Sequence, residues 1–280
     1  MIGAGRRGGS RAFLSAGLFA ALALTLLVPL AVGFLWSLVD PRSGWFAPAL
    51  LPGGLATVHW ERALASPRLV GGVLTSLFIS TVVTALSAAI ALPTAYALAK
   101  LPFRFKRAVE MFVLAPLIVP GLVVGIGVGI LFFRLGLAHS VPGVILVQTV
   151  GTLPLMIRIV AAAIEAIPDD LIHAARTLGA GPVRVGLLVV APLAWPGYVA
   201  GGLLSFVTSF EEFEKTFIVG SPVVQTLTIL LWQNLGGQAI VFPNAAVVTF
   251  ILLTPVLLIF ALGSWLLRGE GALAAGMGKL

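Results

Sequence analysis

Six stretches of the chain are almost free of charged side chains, and each is long enough to cross a bilayer. They are Ala12–Val39, Leu69–Ala99, Met111–Phe133, Val141–Ile164, Leu187–Phe210 and Pro243–Leu267, with Arg158 the one interruption. A helix needs about 20 apolar residues to span the hydrocarbon layer. Backbone groups inside that layer must pair with one another, which leaves helices or closed barrels as the spanning structures. The residues are 59% hydrophobic and 10% charged over 280 positions, whereas a soluble domain carries about 25% charge. The sequence therefore predicts an all-α, polytopic membrane protein with six transmembrane helices in one domain, 1–280. Ala12–Val39 exceeds the length of a signal-peptide apolar region and is expected to remain as a span. There is no cysteine, which removes disulfides, thiolate metal sites and thiol nucleophiles.

The basic residues sort by side. With the N-terminus inside, Arg6, Arg7, Arg11, Lys100, Arg104, Lys106, Arg107, Arg158, Arg176, Arg184, Arg268 and Lys279 share one face, and Arg42, Arg62, Arg68, Arg134 and Lys215 share the other, 12 against 5. The positive-inside rule then puts both termini in the cytosol. The outside segments become Asp40–Arg68, Arg134–Ser140 and Glu211–Phe242, with a helix expected over Leu227–Leu235, lying on the membrane or dipping into it. In such a chain the net charge of +7 reports orientation and not nucleic-acid binding.

The cytosolic loop 165–186, between the fourth and fifth spans, carries the clearest pattern. Pro168, Asp169 and Asp170 suit a helix start, and Gly179, Gly181 and Pro182 suit its end. Between them Leu171, Ala174, Ala175 and Leu178 fall at i, i+3, i+4 and i+7 and make one apolar stripe, with Asp170, His173, Arg176 and Thr177 off it. On periodicity alone this short helix either lies on headgroups, folds back on its own bundle, or docks on a partner. Ala174-Ala175, Gly179, Val189 and Pro192 also stand at the spacing of the cytosolic signature Glu-Ala-Ala, three residues, Gly, nine residues, Ile-x-Leu-Pro. In this the chain resembles the permease subunits of binding-protein-dependent ABC importers. His173 stands in the usual Glu place and Ala191 in the usual Leu place.

The resemblance implies a type I importer fold. Leu171, His173, Ala174, Ala175, Leu178, Gly179 and Pro192 would form a coupling helix and its flank. It implies a second, homologous permease subunit, two ATPase subunits that hold ATP and Mg, and an extracytoplasmic solute-binding protein. The chain would be multi-pass in a bacterial inner membrane, in contact with lipid, with no cofactor, no metal and no catalytic residue of its own. Gly3–Gly8 matches a dinucleotide fingerprint as a string without a preceding strand, and Gly276–Lys279 lacks the P-loop spacing.

A second cluster lies at the outer end of the fifth span. Ser209-Phe210-Glu211-Glu212-Phe213-Glu214-Lys215 concentrates three of the ten acids, and Phe206, Phe210, Phe213 and Phe217 are spaced for one helix face. Glu211 and Lys215 are expected to pair at i, i+4. Carboxylates beside aromatic rings suit an organic cation, and a solvated helix end with Phe packed on lipid or neighbouring spans is the other reading. The Ser-Phe-acid-Glu-Phe string is similar to the second permease of the spermidine/putrescine-type subfamily. That resemblance implies a polyamine path through Phe206, Phe210, Glu211, Glu212, Phe213 and Glu214, with an opine, aminophosphonate, anion or metal chelate as other solutes of the same machinery.

Gly121, Gly125 and Gly129 permit close helix crossing, within the chain or at a subunit interface. Pro93, Pro116, Pro120, Pro154, Pro192, Pro196 and Pro255 are candidate kinks, Arg158 is expected to snorkel, and Glu165 to pair with it or with the ATPase. His59 and His139 stand alone. An ion-coupled secondary transporter would need buried midplane charge that the first, second, third and sixth spans lack. An intramembrane enzyme using Ser205 and His139 lacks any nucleophile motif.

Overall fold

The computed structural model describes residues 7–46, 48–236 and 241–277. The glycine strings at the two ends of the chain each fall partly outside these. In chain order the helices are α1 (Arg7–Ser37), α2 (Val58–Leu64), α3 (Pro67–Lys100), α4 (Lys106–Ile118), α5 (Gly121–Arg134), α6 (Val141–Glu165) and α7 (Asp169–Thr177). There follow α8 (Pro182–Val185), a π-helical turn at Gly186–Val190, α9 (Ala191–Leu193), α10 (Trp195–Phe210), α11 (Glu214–Gly220), α12 (Leu227–Gly236) and α13 (Phe242–Met277). Among the described residues there is one isolated β-bridge, Val39 to Leu55, and no sheet. By length and composition four helices can cross a membrane: Ala16–Ser37, Pro67–Lys100, Val141–Glu165 and Phe242–Leu266. Two bent pairs make the number six.

Those bent pairs revise the third and fifth spans read from the sequence. Met111–Phe133 is not one rod, because α4 and α5 meet at 103° across Val119 and Pro120. The residue before a proline is pushed out of the helical region, and Val119 is extended at φ −78, ψ 131. Leu187–Phe210 is likewise bent, by 73° at Ala194. Pro192 and Pro196 remove two amide donors around that point, and the π-helical turn at Gly186–Val190 precedes it. Pro93, Pro116, Pro154 and Pro255 stay inside helices.

The chain divides into two compact units, residues 67–230 with 252–280 and residues 1–66 with 231–251. In the larger unit α3, α6 and α10 pack on one another through small residues. A Cβ on Gly197 would stand 2.4 Å from that of Ala163, and one on Gly201 2.6 Å from the sulfur of Met156, so α10 lies against α6 at a distance only glycine permits. Ser87 and Thr152, both buried, join α3 to α6 by a 3.0 Å hydrogen bond. Gly125 and Gly129 face Ile218 of α11. The glycine repeat is therefore occupied within this chain, and the same groove holds the aliphatic stem of Lys215 against Gly151 of α6.

In the smaller unit, Ser37 ends α1 and accepts the Trp60 indole N–H at 3.0 Å. Phe34 meets Phe250 edge to face at 5.6 Å, and His59 Nδ1 lies 3.2 Å from the amide oxygen of Asn244.

The turn into α6 is the tightest place for glycine. A Cβ on Gly143 would lie 2.0 Å from the Leu137 carbonyl oxygen, a backbone atom that cannot step aside, whereas one on Gly127 would meet nothing within 4 Å. Gly143→Ala should therefore lower stability by about 1–3 kcal/mol, and Gly127→Ala should leave it unchanged or raise it by up to about 1 kcal/mol. Thermal unfolding of the two variants in detergent checks the difference.

Candidate functional site

Helix α7 is nine residues long, too short to stand alone in water, so its neighbours must hold it. Lys100, the last residue of α3, donates to the Ile167 carbonyl at 2.6 Å and to the Asp169 carboxylate at 2.7 Å. One turn earlier on α3, the Tyr96 hydroxyl accepts from Arg176 at 3.2 Å. Both ends of α7 are thus tied to the same helix end. The Lys100 hydrogen bond, and then its charge, hold the Asp169 carboxyl below the usual range, with a smaller contribution from His173.

The C-terminus of α7 closes as its glycine predicted. Gly179 has φ +84, the Ala180 amide bonds to the Ala175 carbonyl at 3.0 Å and the Gly179 amide to that of Arg176 at 2.9 Å. This is the Schellman pattern, which needs a left-handed residue at that position. Ala175 and Ala180 pack into the cluster formed by Ala91, Leu98, Val160, Ile164, Val185 and Val190.

Helix α7 has two apolar faces where the periodicity showed one. Ile172, absent from the expected stripe, is the anchor: it is 3% exposed and joins that same cluster. Ala175, expected on the stripe, turns inward beside it. Leu171, Ala174 and Leu178 face away, Leu178 at 88% exposure, and His173 is exposed with them. Pro192 lies outside this face, in the break before α10. The signal for the inner face was an isoleucine among polar residues, which a single-stripe reading leaves out.

The acidic cluster is rearranged more deeply. Helix α10 stops at Phe210 and α11 starts at Glu214, so the four phenylalanines do not share a helix face. Phe206 and Phe210 stack at 5.6 Å and are buried, whereas Phe213 and Phe217 form a separate pair at 5.3 Å. Nor does Lys215 pair with Glu211. Its ammonium lies 3.0 Å from Glu212, whose side chain is 8% exposed.

Glu212 caps α11. One carboxylate oxygen accepts from the Lys215 amide at 2.9 Å as well as its ammonium, and the other from the Thr216 amide and hydroxyl, each at 3.0 Å. Behind it Gln148 donates to the Thr216 hydroxyl at 2.8 Å and accepts from Ser209 at 2.5 Å. Thr228 donates to the Glu212 carbonyl at 3.0 Å. Gln148, Ser209 and Thr216 are buried, and a chain of aligned hydrogen bonds in a poor dielectric is stiff. Glu211 and Glu214 remain exposed, with the Glu214 carboxylate beside Gly121 at the positive end of α5.

The Glu212 network and the α7 anchor lie at opposite ends of α6 and α10. Among the described residues no group of three His, Cys, Asp or Glu side chains is placed to hold a metal.

A family of importer proteins matches this arrangement: the binding-protein-dependent transport system inner membrane component, over residues 87–269, which take in both sites. The chain belongs to this family. Its members are membrane permeases of ABC transporters and not enzymes. The permease is 32% identical over 222 residues to the molybdenum transport system permease ModB of Mycobacterium tuberculosis, covering 74% of this chain and 83% of that one. It is 28% identical over 262 residues to the osmoprotective compounds uptake permease GgtD of Synechocystis, covering 86% and 87%. The crystal structure of a bacterial ABC transporter involved in the import of the acidic polysaccharide alginate shares the fold, with a TM-score of 0.77 and 17% identity over 94% of this chain and 98% of that one.

Two tests follow from the geometry. Glu212→Ala strands Lys215 and the α11 amides, and should cost about 3 kcal/mol, whereas Glu211→Ala should stay within about 0.5 kcal/mol; thermal unfolding separates them. Lys100→Met should speed amide exchange across α7 by ~2- to 10-fold, the cost of a partly exposed tether. The depressed Asp169 pKa means the ionised tether is complete above the unfolded value of about 3.9. It is lost only as pH falls through the lower folded value, so exchange in α7 should show no tether-dependent change between pH 5 and 8.

Proposed function

We propose that this permease forms half of a translocation path and receives the force of ATP hydrolysis through α7. The carrying observation is the division of α7 into an anchored face, Ile172 with Ala175, and an uncovered apolar face, Leu171, Ala174 and Leu178. A short helix tied by Lys100 and Arg176 moves as part of α3, so a push on its outer face becomes a displacement of a long span. The apolar face fits a groove on a separate ATPase subunit, and the small Ala174 lets that groove approach the backbone. A second permease subunit completes the pore, and an external solute-binding protein delivers the solute. The surplus of Lys and Arg near α7 supports a cytosolic position for that end and for both termini.

For the solute, we infer a small organic cation of the polyamine type. Glu211 and Glu214 are exposed at the opposite end, near the Phe213–Phe217 pair, a combination that attracts ammonium groups. Glu212 leaves the expected path, since its oxygens are taken by α11. The relatives favour a second reading, an oxyanion, because the Mycobacterium tuberculosis relative is a molybdenum permease.

Ala174→Trp and Leu178→Glu should cut uptake roughly tenfold or more at unchanged membrane abundance, since a docking loss of about 1.4 kcal/mol is enough, while ATPase activity persists. Normal uptake in Ala174→Trp removes the coupling role. Uptake of labelled putrescine and labelled molybdate by proteoliposomes holding the full transporter and its binding protein separates the solute readings. Putrescine uptake that falls in the Glu211→Gln, Glu214→Gln double variant supports the cation, and molybdate uptake alone replaces it.

A further inference from the structure

The smaller unit carries an apolar loop between α1 and α2. A short ribbon closes it: the Asp40 amide bonds to the Gly54 carbonyl at 3.0 Å and the Ala56 amide to that of Leu38 at 2.7 Å, with the single bridge from Val39 to Leu55 between them. Beyond the ribbon the chain turns outward its largest apolar side chains. Leu50 is 92% exposed, Phe46 77% and Leu51 68%. No Asp, Glu, Lys or Arg occurs from Ser43 to Trp60; exposed Arg42 stands on one side of that run, and exposed Glu61 followed by Arg62 on the other.

Contacts to the ends of two spans fix the depth of this tip. Trp36 lies one residue before the end of α1 and Phe242 is the first residue of α13. Trp45 stacks on Trp36 with ring centroids 4.9 Å apart, and Trp36 meets Phe242 at 5.3 Å. Trp45 in turn holds the tip, because its indole N–H donates to the Ala49 carbonyl at 3.0 Å. The Ala49 amide closes a turn onto Phe46 at 3.0 Å, and Pro48 and Pro52 have no amide to satisfy. An aromatic cluster where two spans end is the arrangement that marks the headgroup level, and the loop is pinned to it.

We propose that Asp40–Gly54 is an interfacial lipid anchor, with Phe46, Leu50 and Leu51 in the edge of the hydrocarbon layer and Arg42 and Arg62 among phosphates. Continuity decides for lipid over a protein occupant. The tip continues from α1, whose large apolar residues are exposed from Leu18 to Phe34 before its last turn packs down at Ser37, and the tip itself presents no polar side chain for a soluble partner to recognise. The anchor fixes the end of α1 against tilt and rotation, as interfacial aromatic and basic residues do.

Because the chain has no cysteine, single-cysteine variants need no other substitution. Leu50→Cys, Leu51→Cys and the comparator Ser43→Cys, each carrying a nitroxide, are reconstituted with the rest of the transporter in phosphatidylcholine–phosphatidylglycerol vesicles. The label's collision rates are read with oxygen, which concentrates in hydrocarbon, and with a water-soluble nickel chelate. Oxygen should dominate at 50 and 51 by several-fold, and the chelate at 43. Chelate dominance at 50 and 51 makes the loop aqueous and overturns the proposal. Loss of both collision rates there, with an immobilised spectrum, assigns the tip to a protein partner and also overturns it. All three substituted positions are exposed, so none of the changes disturbs the fold.

Discussion

Every backbone amide and carbonyl within the apolar layer must find a partner inside the chain. That requirement makes the spans helical, and it also decides where they can be interrupted. The break at Val119–Pro120 is tolerated because α4 closes on the Val119 amide, 3.1 Å from the Ala115 carbonyl, and the Pro120 carbonyl accepts the Val123 amide at 2.9 Å. The Glu214 carboxylate stands beside the first residue of α5, where the dipole is positive. At the start of α11 the free amides are taken by Glu212. Both irregular places are thus served by a carboxylate that in a continuous helix would have no such task.

This changes the meaning of the acidic cluster. Three carboxylates at a span end look alike in a sequence, yet the fold separates them by burial. Glu212 is enclosed with four donors on its oxygens and with Gln148, Ser209 and Thr216 behind it. A group so enclosed has no lone pair to offer a passing solute without unfolding α11. Glu211 and Glu214 stay exposed. Position within a motif therefore says less about solute contact than whether the chain itself has already used the oxygen atoms.

The number, type and approximate limits of the spans were legible because a charge-free run of that length has few other fates. The bends were only half legible: seven prolines were visible as candidates, but the breaks fall at Pro120 and at Pro192 with Pro196, and Pro93, Pro116, Pro154 and Pro255 sit within continuous helices. The same residue type breaks one span and not another, so the break depends on the surrounding fold and not on the proline alone. Gln148 and Thr216 were passed over for a related reason. A lone amide or hydroxyl in a span has no sequence partner, and its importance appears only when α6, α10 and α11 are brought together.

Helix α7 shows why the loop pattern was readable even though only the outer of its two apolar faces was visible, with Ala175 counted on it. Its start and stop depend on local chemistry, Asp169 at the positive end and Gly179 in the left-handed region, and such signals survive any context. Its orientation depends on Ile172 finding the cluster of Ala91, Leu98, Val160 and Ile164, which periodicity alone does not encode. The consequence is mechanical. With Ile172 buried and Lys100 and Arg176 holding both ends to α3 and its neighbours, the helix has little freedom to roll. If α7 receives force as proposed, a push on Leu171, Ala174 and Leu178 is carried into α3, because rolling the helix first requires pulling an isoleucine out of a closed apolar cluster.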